Sequence, residues 1–126
     1  MIYSQAYSDR YDPPMPVVQL SVPAADGRPV HFEAIVDTGA DATMLPLSFL
    51  DAIAAQQAGW VRVAGISGIS RRLPTFARPL SLGDLALGNV LVIGQANLET
   101  SIVGRDVLNH LILTLNGLAN VIEIIQ

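Results

Sequence analysis

The sequence predicts an all-β domain, and three observations carry that prediction. Eight prolines and ten glycines in 126 residues cut the chain into short segments, a spacing that suits strands and turns better than alternating strands and helices. Val17 to Pro23 alternates apolar and polar residues, which puts Val18, Leu20 and Val22 on one face of a strand. Near the C-terminus, Leu111 to Leu115 and Asn120 to Gln126 flank Asn116-Gly117 and read as a closing hairpin with a loop longer than Asn-Gly alone.

The remaining elements follow in order. Residues 8–16, with three prolines, cannot form a helix and are read as arm or loop. The chain is accordingly divided into an N-terminal arm, 1–16, and one domain, 17–126. Asp26-Gly27 turns the first strand into a second, Pro29 to Val36, giving a hairpin expected to carry Asp37 at its tip. Leu47, Leu50, Ile53 and Ala54 recur at helical spacing, so one short helix is expected, with Ser48 as its cap and Gly59 as its stop. Trp60 to Val63 resumes strand character before an apolar loop with paired glycines, Ala64 to Ser70. Leu80 to Leu82 and Leu85 to Ile93 are strands on either side of Gly83-Asp84.

Composition narrows the function classes. A length of 126 residues with 51% hydrophobic content suits one core. The net charge of −4 argues against general nucleic-acid binding, because phosphate neutralisation needs clustered cations and only Arg71 and Arg72 are adjacent. Without cysteine there is no disulfide or thiolate chemistry. His31 and His110 stand far apart with no ligand-spaced partner, so neither a metal nor another cofactor is expected. No apolar run is long enough to span a membrane and the first residues lack a signal-peptide pattern, so the reading is cytoplasmic, with no membrane partner.

The chemistry centres on Ile35-Val36-Asp37-Thr38-Gly39-Ala40-Asp41. An acid that ends a buried strand is costly unless donors surround it, and Thr38 and Gly39 offer a hydroxyl and a closely approaching N–H. A weak internal echo, Ile102-Val103 before Gly104-Arg105-Asp106, implies a second strand-to-turn crossing. Only the first crossing offers an acid at the turn itself.

Asp37-Thr38-Gly39-Ala40-Asp41 with Ala42-Thr43-Met44-Leu45, then Gly65-Ile66-Ser67-Gly68, then Ile102-Val103-Gly104-Arg105-Asp106-Val107-Leu108 followed by Leu113-Thr114-Leu115-Asn116, resemble the retropepsin-like, or retroviral-type, aspartic proteases. The resemblance implies a small closed β-barrel-like acid-protease fold with one or two short helices, a flap hairpin and a homodimeric assembly. It implies an aspartic endopeptidase acting on peptide or protein substrates. Water-mediated hydrolysis needs one carboxylate to accept a proton and one carboxylic acid to donate one. Two carboxyls about 3 Å apart share a single proton, which favours activity on the acid side of neutrality. This chain has a single Asp-Thr-Gly, so the resemblance implies that the second Asp37 comes from an identical subunit. A retropepsin-fold dimerisation or peptide-binding module without activity is the alternative, because fold does not guarantee chemistry.

By the same resemblance Asp37, Thr38 and Gly39 are the catalytic residues, and Gly65, Ile66, Ser67, Gly68 and Ile69 are the flap that covers substrate. Ala40, Asp41, Gly104 and Arg105 support the site, with Asp41 and Arg105 forming a buried ion pair. Three departures stand out. Ser67 replaces a frequent glycine, Asp106 replaces a frequent Asn and is read as a helix-start residue, and Arg71-Arg72 charge the descending flap strand, affecting either flap mobility or preference for acidic substrate residues. The chain also continues past Leu-Thr-Leu-Asn, so its terminal strand is expected to pair either across a dimer or against its own hairpin.

Overall fold

A computed structural model describes residues 2–65 and 67–125. Alternation along the chain becomes a ladder of strands in the order β1 (Ile2–Ala6), β2 (Val17–Pro23), β3 (Pro29–Val36), β4 (Met44–Pro46), α1 (Leu47–Ala52), β5 (Gly59–Ala64), β6 (Ser70–Leu82), β7 (Leu85–Gln95), β8 (Ser101–Val103), α2 (Arg105–Leu108), β9 (Ile112–Asn116) and β10 (Val121–Ile125). The larger sheet runs β2-β3-β8-β4-β7-β6-β5, and β2 also pairs with β6 through Leu20↔Leu82 and Ser21↔Ser81. That second pairing closes six strands into a barrel and leaves β5 outside it, as the hairpin partner of β6. The expected all-β, closed-barrel class is thus what the chain adopts, with two short helices.

Two buried clusters fill the interior. Val18, Leu20, Val36, Leu82 and Val103 meet Ile122 and Ile124 of the terminal sheet, while Val22, Leu45, Phe76, Leu80 and Val92 pack beneath Leu50 of α1. Burial of these apolar faces is the main stabilising term in a chain with no covalent cross-link.

Several local expectations are corrected. β2 and β3 pair from Val17↔Ile35 to Pro23↔Pro29, so the Asp26-Gly27 turn is at one end of the hairpin and Asp37 leaves the opposite, open end. Ser48 does not cap α1; Pro46 holds the N-cap position with no side-chain bond, and the helix closes at Ile53 through the Ile53 and Ala54 N–H groups. Gly59 is not its stop but the first residue of β5. Ile53 is buried outside the helix, so the spacing that extended the helix recorded burial rather than helical turns. β6 is longer than the sequence indicates because Pro74 and Pro79 interrupt its pattern. Both sit where β6 has one neighbouring strand only, Pro74 opposite Trp60 and Pro79 opposite Asn89. A proline N there leaves no second ladder unmade.

Within the expected arm, Ile2–Ala6 form a strand, giving a three-stranded sheet in the order β1-β10-β9. The terminal strand pairs with its own hairpin, Ile122↔Leu115 and Ile124↔Leu113, and on its other edge with β1, from Ile2↔Ile125 to Ala6↔Val121. Both edges of β10 are therefore occupied within one chain.

Tyr3 ties this sheet to the barrel: its hydroxyl accepts from Gln19 N at 2.9 Å and donates to Gln5 Oε1 at 3.3 Å. Burial raises the Tyr3 pKa above its ordinary 10.0, and the Gln19 N–H offsets part of that rise. Because the folded chain holds this proton more tightly than the unfolded chain, the associated stability is present below pH 10 and is lost as pH rises through the folded value. Urea titrations between pH 8 and 11 should show stability falling above pH 10, with a shallower fall in Tyr3→Phe; equal slopes would exclude Tyr3 as a cause.

Candidate active site

The two apolar pairs that echo each other in sequence lie side by side in space. β3 and β8 run parallel, with Ile35↔Ile102 and Val36↔Val103 in register, and the chain leaves them as Asp37 and Gly104. Asp37 N donates to Val103 O at 3.1 Å, Ala40 N to Asp37 O at 3.2 Å, and Arg105 N to Ala40 O at 2.9 Å. Gly39 N donates to Asp37 Oδ1 at 2.9 Å. The half-buried acid is therefore fixed by backbone donors on its own loop and by the strand beside it.

Gly104 makes that approach possible. A Cβ there would lie 2.7 Å from Ala42 C and O and 2.9 Å from Ala40 O, all backbone atoms of the acid-bearing loop. A side chain would have to push the loop away. Gly39 has less need of its identity, since its Cβ would meet only Asp37 Oδ1, at 3.2 Å.

A contact that the sequence did not reveal completes the support. Thr43 is fully buried; its N and Oγ1 donate to Asp106 Oδ2 and Oδ1 at 3.0 and 2.8 Å, and its Oγ1 accepts from Gly104 N at 3.2 Å. Asp106 Oδ1 also accepts from Val107 N at 2.9 Å. Asp106 thus lies in the first turn of α2, which begins at Arg105, and also clamps Thr43, just ahead of β4. The only sequence signal was the departure from Asn at this position, together with a hydroxyl residue set against Met44-Leu45.

Arg105 and Asp41 do meet. Arg105 Nη2 forms an ion pair with Asp41 Oδ1, and Nη1 donates to Thr38 O at 2.6 Å. The expectation that this pair is buried is corrected: the Asp41 side chain is 90% exposed, because the loop it belongs to lies at the surface. An exposed pair contributes little stability, so its effect is to hold the Thr38 carbonyl. Within the described residues the Thr38 hydroxyl has no hydrogen-bond partner, and Thr38 is exposed.

The β5–β6 hairpin carries the glycine loop. Gly65 N donates to Ile69 O at 3.2 Å and Gly68 N to Gly65 O at 3.0 Å. Gly68 has φ +79°, a conformation that favours glycine. Gly65, Ser67, Gly68 and Ile69 are exposed; Ile66 lies outside the described residues. Between this hairpin and the Asp37 loop is a cleft of about 520 Å³ lined by Gly39, Asp41, Met44, Ile93 and the successive β5 residues from Val61 to Ala64. A cleft of about 580 Å³ between β7 and α2 includes no residue of the β5–β6 hairpin, and Asp37 itself lines neither cleft. Among the described residues no group of three or more His, Asp or Glu is placed to hold a metal ion, and no helix is long and apolar enough to cross a membrane.

Comparison with known proteins bears on the family and the fold. Residues 24–110 match the family described as gag-polyprotein putative aspartyl protease. Among solved structures, a retropepsin-like aspartic protease from Rickettsia conorii is similar with a TM-score of 0.68 at 12% identity, over 98% of this chain and 89% of the other. The simian foamy virus (mac) protease gives 0.55 at 12% identity, over 75% and 92%. The EIAV protease complexed with the inhibitor HBY-793 gives 0.53 at 20% identity, over 76% and 86%. No curated protein sequence matches. With its barrel, its Asp-Thr-Gly loop and this match over most of its length, the chain belongs to the retropepsin-like aspartic proteases.

Gly104→Ala should cost about 1–3 kcal/mol by forcing the loop off β8, whereas Gly117→Ala, where a Cβ meets nothing within 4 Å, should cost far less. Parallel urea unfolding of the two variants checks this; equal losses would mean that Gly104 does not hold the loop.

Proposed function

We propose that this chain is an aspartic endopeptidase that cuts extended peptides with a dyad of two Asp37 carboxyls, one from each of two identical subunits. The observation that carries the reading is that the chain makes two matched strand-to-turn crossings and places an acid at the turn of only one. The neighbouring acids are committed elsewhere: Asp41 pairs with Arg105 and Asp106 holds Thr43. One chain therefore supplies half of the chemistry, and an identical chain supplies the other half by two-fold symmetry.

In the reaction, one Asp37 carboxylate takes a proton from water while the other, protonated, donates to the scissile carbonyl oxygen. The hydroxide equivalent adds to the carbonyl carbon, and collapse of the tetrahedral intermediate breaks the C–N bond with proton transfer to the leaving amine. Gly39 N–H holds Oδ1, leaving Oδ2 for the water and the partner carboxyl. Thr38, whose hydroxyl has no partner among the described residues, bonds across the two-fold. The loop from Gly65 to Ile69 closes over peptide and excludes water.

The partner meets the open edge of β9. β10 has no free edge, whereas β9 has one, carries no charged residue, and leaves Ile112 and Leu115 63% and 49% exposed. Uncharged, apolar edges are templates for pairing with another strand.

A peptide-library digest between pH 4 and 7 should show cleavage that vanishes in Asp37→Asn and whose specific activity falls on dilution. Cleavage that survives Asp37→Asn, or a rate that climbs steadily to pH 9, would contradict the shared-proton dyad. Binding without cleavage at high protein concentration would leave the silent-module alternative. Leu115→Glu, which brings like charges together across the edge, should raise the dimer dissociation constant about tenfold or more by sedimentation; an unchanged profile would place the interface elsewhere.

A further inference from the structure

The register of the β5–β6 hairpin assigns each of its arginines to a face. Directly paired residues of an antiparallel ladder point to the same side and successive residues to opposite sides. Trp60 pairs with Pro74 and Arg62 with Arg72, so Trp60, Arg62 and Arg72 share one face. That face is turned to solvent: Trp60 is 54% exposed, the Arg72 guanidinium lies 4.7 Å from the Trp60 ring centroid, and Arg62 Nη1 donates to Ser70 Oγ at 3.2 Å.

Val61 pairs with Leu73 and Val63 with Arg71, so these four share the opposite face. Leu73 is buried and Val61 and Val63 are half-buried, whereas Trp60, Arg62 and Ala64 are exposed, so this face is the inward one; β5 lines the cleft of about 520 Å³ through Val61, Arg62, Val63 and Ala64, beside Gly39 and Asp41. Arg71 therefore stands on the inward face, at the end of the hairpin beside the glycine loop, next to the cleft rather than among its lining residues. It is exposed and, among the described residues, has neither a carboxylate within ion-pair distance nor a hydrogen-bond acceptor. The other six arginines have partners: Arg10, Arg28 and Arg105 have acids, Arg62 and Arg78 have oxygen acceptors, and Arg72 has the Trp60 ring.

We infer that Arg71 is a specificity-determining residue that reads an Asp or Glu side chain of the peptide lying in the cleft. The inference rests on the protease reading for its ligand. A guanidinium offers a planar fork that matches a carboxylate, and its nearest neighbours on the same face, Val61, Val63 and Leu73, are aliphatic. The flap arginines thus divide their roles: Arg72 braces the outer face against Trp60, and Arg71 faces substrate.

The test separates this from the catalytic reading by measuring binding on Asp37→Asn protein. Extended apolar peptides differing only by Glu or Gln at successive positions are titrated by fluorescence anisotropy. At one position the Glu peptide should bind about fivefold more tightly, as expected for a partly exposed charge pair, and added salt should shrink the difference. Arg71→Gln should abolish that preference, Arg71→Lys should keep part of it, Arg71→Glu should reverse it toward Lys peptides, and Arg72→Gln should leave it intact. Absence of a Glu preference, its survival in Arg71→Gln, or no binding by any peptide would overturn the inference. A Glu preference in protein that never cuts would overturn the protease reading alone.

Discussion

Where β3 and β8 lie parallel, Val36 beside Val103, the chain brings together two segments that the whole of the hairpin and barrel sequence separates. A parallel pair cannot be made by a tight turn. α1, the β5–β6 hairpin and β7 all lie in sequence between Asp37 and the Val103 O that receives its N–H. The position of the acid is thus a global property of the barrel, held by a contact of long sequence separation that forms at high entropic cost.

That contact explains why the loop is supported mainly by backbone. Asp37, Ala40 and Arg105 exchange N–H and C=O bonds, and Gly104 lets the two turns approach to a distance at which any Cβ collides. The buried polar work falls to Thr43 and Asp106, where a carboxylate takes three donors. A buried hydroxyl without such an acceptor costs about 1–3 kcal/mol, so Asp106 matters through Thr43 more than through its own place at the helix start. The exposed Asp41–Arg105 pair adds orientation rather than stability.

What was legible in the sequence was what period two and turn residues encode. Val17–Pro23 and Pro29–Val36 begin and end where alternation and Asp26-Gly27 place them. The failures have physical causes. Pro74 and Pro79 mimic breaks because a reading by residue type cannot know that β6 has a single neighbour at each. Ile2–Ala6 hides because Ser4 and Gln5 are polar, and the strand exists only by pairing with Val121–Ile125 at the far end of the chain. Ile53 imitates a helical position because a buried residue just past a helix end keeps the same spacing. In the site, the Asp37 loop and Arg105 were found from their motif, while Thr43 with Asp106 and the facing of Arg71 needed a register.

The terminal sheet has a further consequence for how the chain is threaded. Ile2 lies directly opposite Ile125, so the first and last described strands finish as neighbours, one strand spacing apart, about 5 Å. Over the described residues the path returns to within one strand spacing of where it starts. A short linker from Ile125 to Ile2, in a chain opened at the exposed Gly83-Asp84 turn, would preserve the described strand pairings while turning β1 and β10 into the two arms of one hairpin.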